Sequence, residues 1–336
     1  MLLIASDRFG AHVTPPGHPE RIERAEVFDR VAAHWASRGG LTMAPTIASR
    51  QALLRVHTEE HVAAIEATAG RASMIDADTF TSPETADVAQ LAAGAAVNAV
   101  EHALNDREPA VALVRPPGHH AERDRAMGFC FYNNVAVAAA HALASGVARV
   151  AIVDIDVHHG NGTQWIFYED PRVLYVSSHQ FPFYPGTGAA SEVGRAAGAG
   201  FTVNIPLEAG ATDADYHLAY RAIVPPVFDH FAPELVIVSA GFDAHERDPL
   251  ASMRVTTAGY ASLVHHLHVW SGGSALALVT EGGYDLTALG ECVQASLRVL
   301  DGAERPQSDP SGQNAPRGER AVAAVRVAQA PHWRGI

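Results

Sequence analysis

Asp154, Asp156, His158 and His159 follow directly on the apolar run of residues 150–153, which reads as a fully buried parallel strand. Buried strands do not normally end in four ionisable groups. In an extended chain the side chains alternate, so Asp154, Asp156 and His158, spaced two apart, project to one side. Two close carboxylates repel unless a cation lies between them, and an imidazole on the same side adds a further ligand to what is then half a metal site. A solvated strand end with unrelated charges is the plainer alternative, but buried charges need pairing or a metal. Asp243 follows Gly241 and Phe242 after another apolar run. Alone it reads equally as a cap for the next segment; with Asp156 and His158 it becomes the third ligand of a tetrahedral site with one position open, as a catalytic zinc requires.

Three further groups of residues could do chemistry. His119 and His120 sit behind Pro116, Pro117 and Gly118, a stiff loop that suits paired histidines to acid–base work near neutral pH and that surface histidines would not need. Tyr284 follows Gly282 and Gly283, where close backbone approach either aims a phenol inward or seats a core tyrosine. Phe129, Phe131, Phe183 and Tyr184 either belong to the core or line a narrow slot; their spacing does not decide.

The elements that must hold these residues are short apolar strands alternating with alanine-rich helical segments. Strands are expected at residues 2–5, 110–114, 150–153, 173–176, 235–239 and 276–279, and helices at 19–33, 57–69 with Thr58 as a cap, 86–104 and from 163. Five of the strands end in R-P-P-G-H-H, D-I-D-V-H-H, S-S-H-Q, A-G-F-D and T-E-G-G-Y. Open α/β sheets bind ligands beyond the carboxyl ends of their strands, so these endings converge on one crevice. The fold class is α/β, a single open-sheet domain with a mostly parallel central sheet flanked by helices on both faces.

The chain has 336 residues, 48% of them hydrophobic, enough for one large core. A net charge of −13 argues against a nucleic-acid partner. Cys130 and Cys292 are the only cysteines, which is no disulfide framework and fits a reducing cytoplasm. The short apolar start and the absence of any run near roughly 20 apolar residues predict neither a signal peptide nor a membrane span. Residues 1–300 read as the catalytic domain. From 301 the composition turns to Pro, Gly and polar residues, a linker before a short helix at 321–329 that docks on the body or on a second subunit.

These motifs resemble the zinc-dependent histone-deacetylase-like amidohydrolases of the arginase/deacetylase fold, a superfamily that includes bacterial class II-like members and acetylpolyamine amidohydrolases. The resemblance rests on R-P-P-G-H-H (115–120), G-F-C-F-Y-N-N (128–134), D-I-D-V-H-H-G-N-G-T-Q (154–164), F-Y-P-G-T-G (183–188), G-F-D (241–243) followed by D-P-L (248–250), and E-G-G-Y (281–284). It implies one zinc ion per subunit on Asp156, His158 and Asp243. It implies that His119 and His120 are the catalytic pair with Asp154 behind His119, and that Tyr284 polarises the scissile carbonyl. Phe129 and Tyr184, with Gly128 and Leu250, would bound the acyl tunnel. Arg24 matches an arginine lining an internal cavity behind the metal. A structural potassium ion is implied near Asp154, Asp156, His158, Ser177 and Ser178.

The resemblance thus implies hydrolysis of an N-acyl amine such as acetyl-lysine to acetate and a free amine. Class I relatives carry a carboxylate where this chain has Asn161, so His120 is expected to be the less basic of the pair. A polyamine-selective branch carries an acidic residue where this chain has Leu250, which disfavours that mode of recognition, although the acidic loop of residues 76–84 could replace it. An acetylpolyamine deacetylase is the alternative; an arginase-like ureohydrolase with two manganese ions and a non-catalytic acyl-amine binder fit less well. A homo-oligomer is allowed, since relatives occur as monomers, dimers and tetramers.

Overall fold

A computed structural model describes residues 1–306, 310 and 312–336. In chain order the elements are β1 (Leu2–Ile4), α1 (Glu23–Ser37), β2 (Leu41–Met43), α2 (Arg50–Leu53), α3 (Glu59–Glu66), β3 (Ser73–Met74), β4 (Phe80–Thr81), α4 (Thr85–Asp106) and β5 (Ala110–Ala112). They continue with α5 (Asn134–Ala144), β6 (Val150–Asp154), α6 (Asn161–Phe167), β7 (Val173–Gln180), β8 (Thr202–Leu207), α7 (Asp213–Phe231), β9 (Leu235–Ala240), α8 (Thr257–Trp270), β10 (Ala275–Thr280), α9 (Leu286–Leu300) and α10 (Pro316–Gln329). Eight strands form one sheet in the order β2-β1-β5-β10-β9-β6-β7-β8, with every pairing parallel. β3 and β4 form a separate antiparallel pair.

Apart from β2, whose three residues are exposed at the sheet edge, the strands of the sheet are largely apolar on both faces because both faces are covered. Leu3, Val111, Val153, Val176, Val238 and Leu278 point into one core with α1, α7, α8, α9 and α10. Ile4, Ala112, Ile152, Tyr175, Ile237 and Val279 point into the other with α4 and α5. Alanine lets α4 approach closely, and at Gly94 a Cβ would collide with the Thr46 carbonyl.

Thr58 caps α3 by accepting from the His61 N–H, and Asn133 and Asp285 cap α5 and α9 in the same way. The helix expected at 19–33 starts later, at Glu23, because Glu20 is drawn into a buried ion-pair cluster with Arg24 and Arg115. β7 runs to Gln180, longer than the sequence suggests, its polar end buried and paired with β8 beyond the point where β6 stops.

α10 packs on α7 and β8: Asp215 accepts from the N–H groups of Arg317 and Gly318, and Gln329 donates to the Thr202 carbonyl at 2.6 Å. The part of the expected linker at 307–309 and 311 lies outside the described residues. Among the described residues no helix is long and apolar enough to cross a membrane.

Candidate active site

The five chemistry-bearing endings lie at the carboxyl ends of β5, β6, β7, β9 and β10, which are neighbours in the sheet. β6 stops at Asp154, so the alternation expected for Asp154, Asp156 and His158 does not continue. Asp154 Oδ1 accepts from the Asp156 N–H at 3.2 Å, and Asp156 Oδ1 from the His158 N–H at 2.9 Å. Beyond the sheet edge no strand satisfies these N–H groups, so the carboxylates bend the chain back on itself. Asp154 consequently separates from the other two: Oδ2 lies 3.1 Å from His119 Nδ1 and accepts from Tyr175.

Asp156, His158 and Asp243 come together, each offering a ligand atom, all within 4.8 Å of one another and all buried. His158 Nδ1 lies 3.2 Å from Asp156 Oδ1 and 3.1 Å from Asp243 Oδ2. Gly241 and Gly282 form the cradle, since a Cβ on either would collide with these carboxylates. The Val157 N–H donates to Asp243 and the Gly282 N–H to Asp156, fixing both groups. Burial and the neighbouring Asp156 push Asp243 up to about 7. Burial disfavours a charged His158, yet its contacts with Asp156 and Asp243 outweigh that and push it up to about 10. Two buried carboxyl groups this close need a compensating positive charge, and a divalent cation suits two carboxylates and an imidazole.

The rings of His119 and His120 lie 4.0 Å apart. Their loop is clamped by Glu281, which accepts from the Gly118 N–H at 2.6 Å and the His119 N–H at 3.1 Å. Burial opposes charge on His119, but Asp156 and Asp154 overcome it and raise the ring to about 10. Burial, then the charges of His119 and His158, hold His120 well below its usual value. Asn161 directs its amide nitrogen to Glu122 at 2.7 Å, so its oxygen faces His120 Nδ1 at 2.8 Å. His120 therefore carries its proton on Nδ1 and keeps Nε2 as an acceptor.

Tyr284 is buried, its ring 5.2 Å from the Arg24 guanidinium, and burial keeps its phenol protonated well past neutral pH. Asp248 holds the Tyr284 N–H at 2.7 Å. Arg24 is itself buried, donating to Glu20 at 2.9 Å and to the Gly283 carbonyl at 2.8 Å.

A cavity of 200 Å³ has His120, His158 and Tyr284 in its lining, with Gly128 and Phe129 facing Phe183 and Tyr184 and with Leu250 and Asp78 also present. Phe183 stacks on His158 at 5.6 Å, and Tyr184 meets His120 edge-on at 5.2 Å. Phe129 adopts a positive φ of 69°, with its N–H held by Thr79. Phe131 instead packs into the core against His12. Of the residues implicated by resemblance, Ser177 and Ser178 are buried in β7 and bonded to His179 and Tyr220.

Glu281 and Asp248 stand in the motifs E-G-G-Y and D-P-L, but the sequence assigned neither a role, and Glu122 lies outside every motif, where it looks like an ordinary loop carboxylate.

Residues 18–300 match the family described as histone deacetylase domain. The chain belongs to the histone deacetylase family. Among family members it is similar to a protein of Archaeoglobus fulgidus named "Probable deacetylase", 40% identical over 291 residues that cover 84% of this chain and 81% of the relative. It is also 40% identical to polyamine deacetylase HDAC10 of Homo sapiens, over 95% of this chain and 49% of that longer protein. The HD domain of HDA15 has the same fold, with a TM-score of 0.91 and 38% identity over 100% of this chain and 97% of the other.

Proposed function

We propose that this chain is a zinc-dependent deacetylase that hydrolyses acetyl-lysine-like N-acyl amines. The observation that carries the reading is the buried Asp156–His158–Asp243 group beside a cavity lined by aromatic rings, by His120, which has His119 packed against it, and by a protonated Tyr284. A cavity lined by Phe129, Phe183 and Tyr184 suits a linear acyl-amine chain with its amide toward His120, His158 and Tyr284, and family membership supports the same chemistry.

Asp156, His158 and Asp243 would hold one zinc ion per chain. Bound there, zinc supplies Lewis acidity, polarising an amide carbonyl and lowering the pKa of water toward roughly 7. His120, neutral with Nε2 free, accepts the proton of the attacking water, and Asn161 holds the ring in that tautomer. The Tyr284 O–H donates to the oxygen on which negative charge develops. His119, its charge favoured by Asp156 and Asp154, stabilises the same negative charge, and the proton held by His120 passes to the departing amine. Acetate and a free amine leave.

The same proposal assigns residues 1–300 as the catalytic domain, 301–336 as a tail packed on it, a potassium ion near Asp154, Asp156, His158, Ser177 and Ser178, and a cytoplasmic location consistent with two free cysteines.

A second reading, an acetylpolyamine deacetylase, is favoured by Asp78, whose half-buried carboxylate lies in the cavity lining and would attract a cationic amine. The test is acetate release by zinc-loaded protein from an N-acetyl-lysine peptide and an acetylated polyamine at matched concentrations. Preference for the peptide supports the first reading, preference for the polyamine the second, and no release from either defeats both.

A further inference from the structure

The loop that carries Phe183 and Tyr184 is closed by a carboxylate to which the roles above assign nothing. Glu192 is half-buried, and its side chain accepts hydrogen bonds from three donor groups. The Gly188 N–H lies 3.1 Å from both carboxylate oxygens, the Ala189 N–H 3.2 Å from Oε1, and Gln164 Nε2 2.6 Å from Oε2. Gln164 turns its own oxygen to His159 Nε2 at 2.9 Å and to the Asn204 amide at 2.7 Å. His159 Nδ1 then meets the Thr187 hydroxyl at 2.7 Å, and His179 Nε2 donates to the Gly188 carbonyl at 2.8 Å. Gly188 has a positive φ of 95°, and a Cβ there would collide with both rings, so the loop rests directly on them.

We propose that Glu192 is the positioning residue that sets the width of the acyl tunnel, gathering the loop N–H groups and, through Gln164 and His159, tying the Phe183–Tyr184 wall to the segment that bears His158. The inference rests on reading the 200 Å³ cavity as the acyl-amine tunnel. Its bonds to the loop are charge-assisted and fix backbone four and five residues beyond Tyr184. Released, Phe183 loses its stack on His158 and Tyr184 its edge contact with His120, whereas Asp156, His158 and Asp243 keep their own supports. Binding of a narrow acyl chain weakens while the chemistry at the buried groups persists.

Glu192→Gln is close to isosteric but places an amide NH₂ against the same donors. Exchanging the two side chains, Gln164→Glu with Glu192→Gln, restores a complete pattern: the carboxylate now at position 164 accepts from His159, Asn204 and the amide now at position 192, whose oxygen accepts from the loop. In Glu192→Gln, KM for the acetyl-lysine peptide rises about tenfold with kcat within about twofold, and the exchanged variant recovers KM to within about threefold. Amide hydrogen exchange at Gly188 and Ala189, which needs no turnover, accelerates by about tenfold in Glu192→Gln and returns in the exchanged variant. Unchanged exchange, failure of the double variant to restore it, or a fall in kcat at constant KM overturns the proposal. If the wild type shows no turnover, the deacetylase reading fails, and exchange alone decides whether Glu192 holds the loop.

Discussion

Asn161 presents an amide oxygen, not a carboxylate, to Nδ1 of His120 at 2.8 Å, and its orientation is fixed by Glu122 on its other side. A carboxylate at 161 favours the charged imidazolium and so raises the His120 pKa from its depressed position. Such a carboxylate would share a proton with Glu122, so the clear test is Asn161→Asp combined with Glu122→Gln. In that variant the acidic limb of the pH profile of kcat/KM moves up by about one unit or more, and Asn161→Asp alone moves it less. An unchanged profile would show that His120 is not the group titrating in the free enzyme.

Tyr284→Phe removes one hydroxyl beside His120 and His158 and leaves the three metal-binding candidates intact. Turnover falls by about 10²–10³-fold while bound zinc, measured by elemental analysis, is unchanged. Full turnover in this variant would remove Tyr284 from the mechanism.

Zinc added to metal-free protein should bind near one ion per chain and raise the thermal midpoint, because it relieves the repulsion between Asp156 and Asp243. Asp243→Ala should abolish both effects. A stoichiometry near two would point instead to a binuclear ureohydrolase-like centre.

Glu20 accepts from Arg115 at 2.7 Å and Arg24 at 2.9 Å in full burial. Burial alone would raise its pKa, but Arg115, His12 and Arg24 together bring it down from 4.5 to about 2. The folded value lies below the unfolded one, so Glu20 stabilises the fold fully above pH 4.5 and this is lost as pH falls toward 2. The contribution is about 3 kcal/mol at neutral pH. Glu20→Gln leaves two guanidinium groups uncompensated and costs about 3–5 kcal/mol, and the stability difference from wild type in urea unfolding shrinks below pH 4.5.

Leu250 shares the cavity lining with Asp78. Leu250→Glu adds a second carboxylate, so kcat/KM for an acetylated polyamine relative to the peptide rises by about tenfold. No change in that ratio would show that the substrate's far amine does not reach residue 250.

The parallel sheet, its strand endings and the three metal-binding candidates were legible because each lies in a short stretch whose pattern is local: an apolar run that ends in ionisable or polar residues, in most cases with glycine beside them. Thr58 as a helix cap was legible for the same reason. What the spacing of Asp154, Asp156 and His158 did not reveal was that the strand ends at Asp154, which turns that carboxylate toward His119 and away from the other two. Nor could it separate Phe129, beside the cavity, from Phe131, two residues on and in the core. Nor did it show the pairing of Glu122 with Asn161, of Glu281 with the His119 N–H or of Glu192 with Gln164. Their partners lie 39, 162 and 28 residues away. The sequence determined which groups were available and which strands would carry them. The order β5-β10-β9-β6-β7 decided which endings met, because it gathers five strand ends at one edge of the sheet, where buried side chains take partners from any of those endings whatever their distance along the chain.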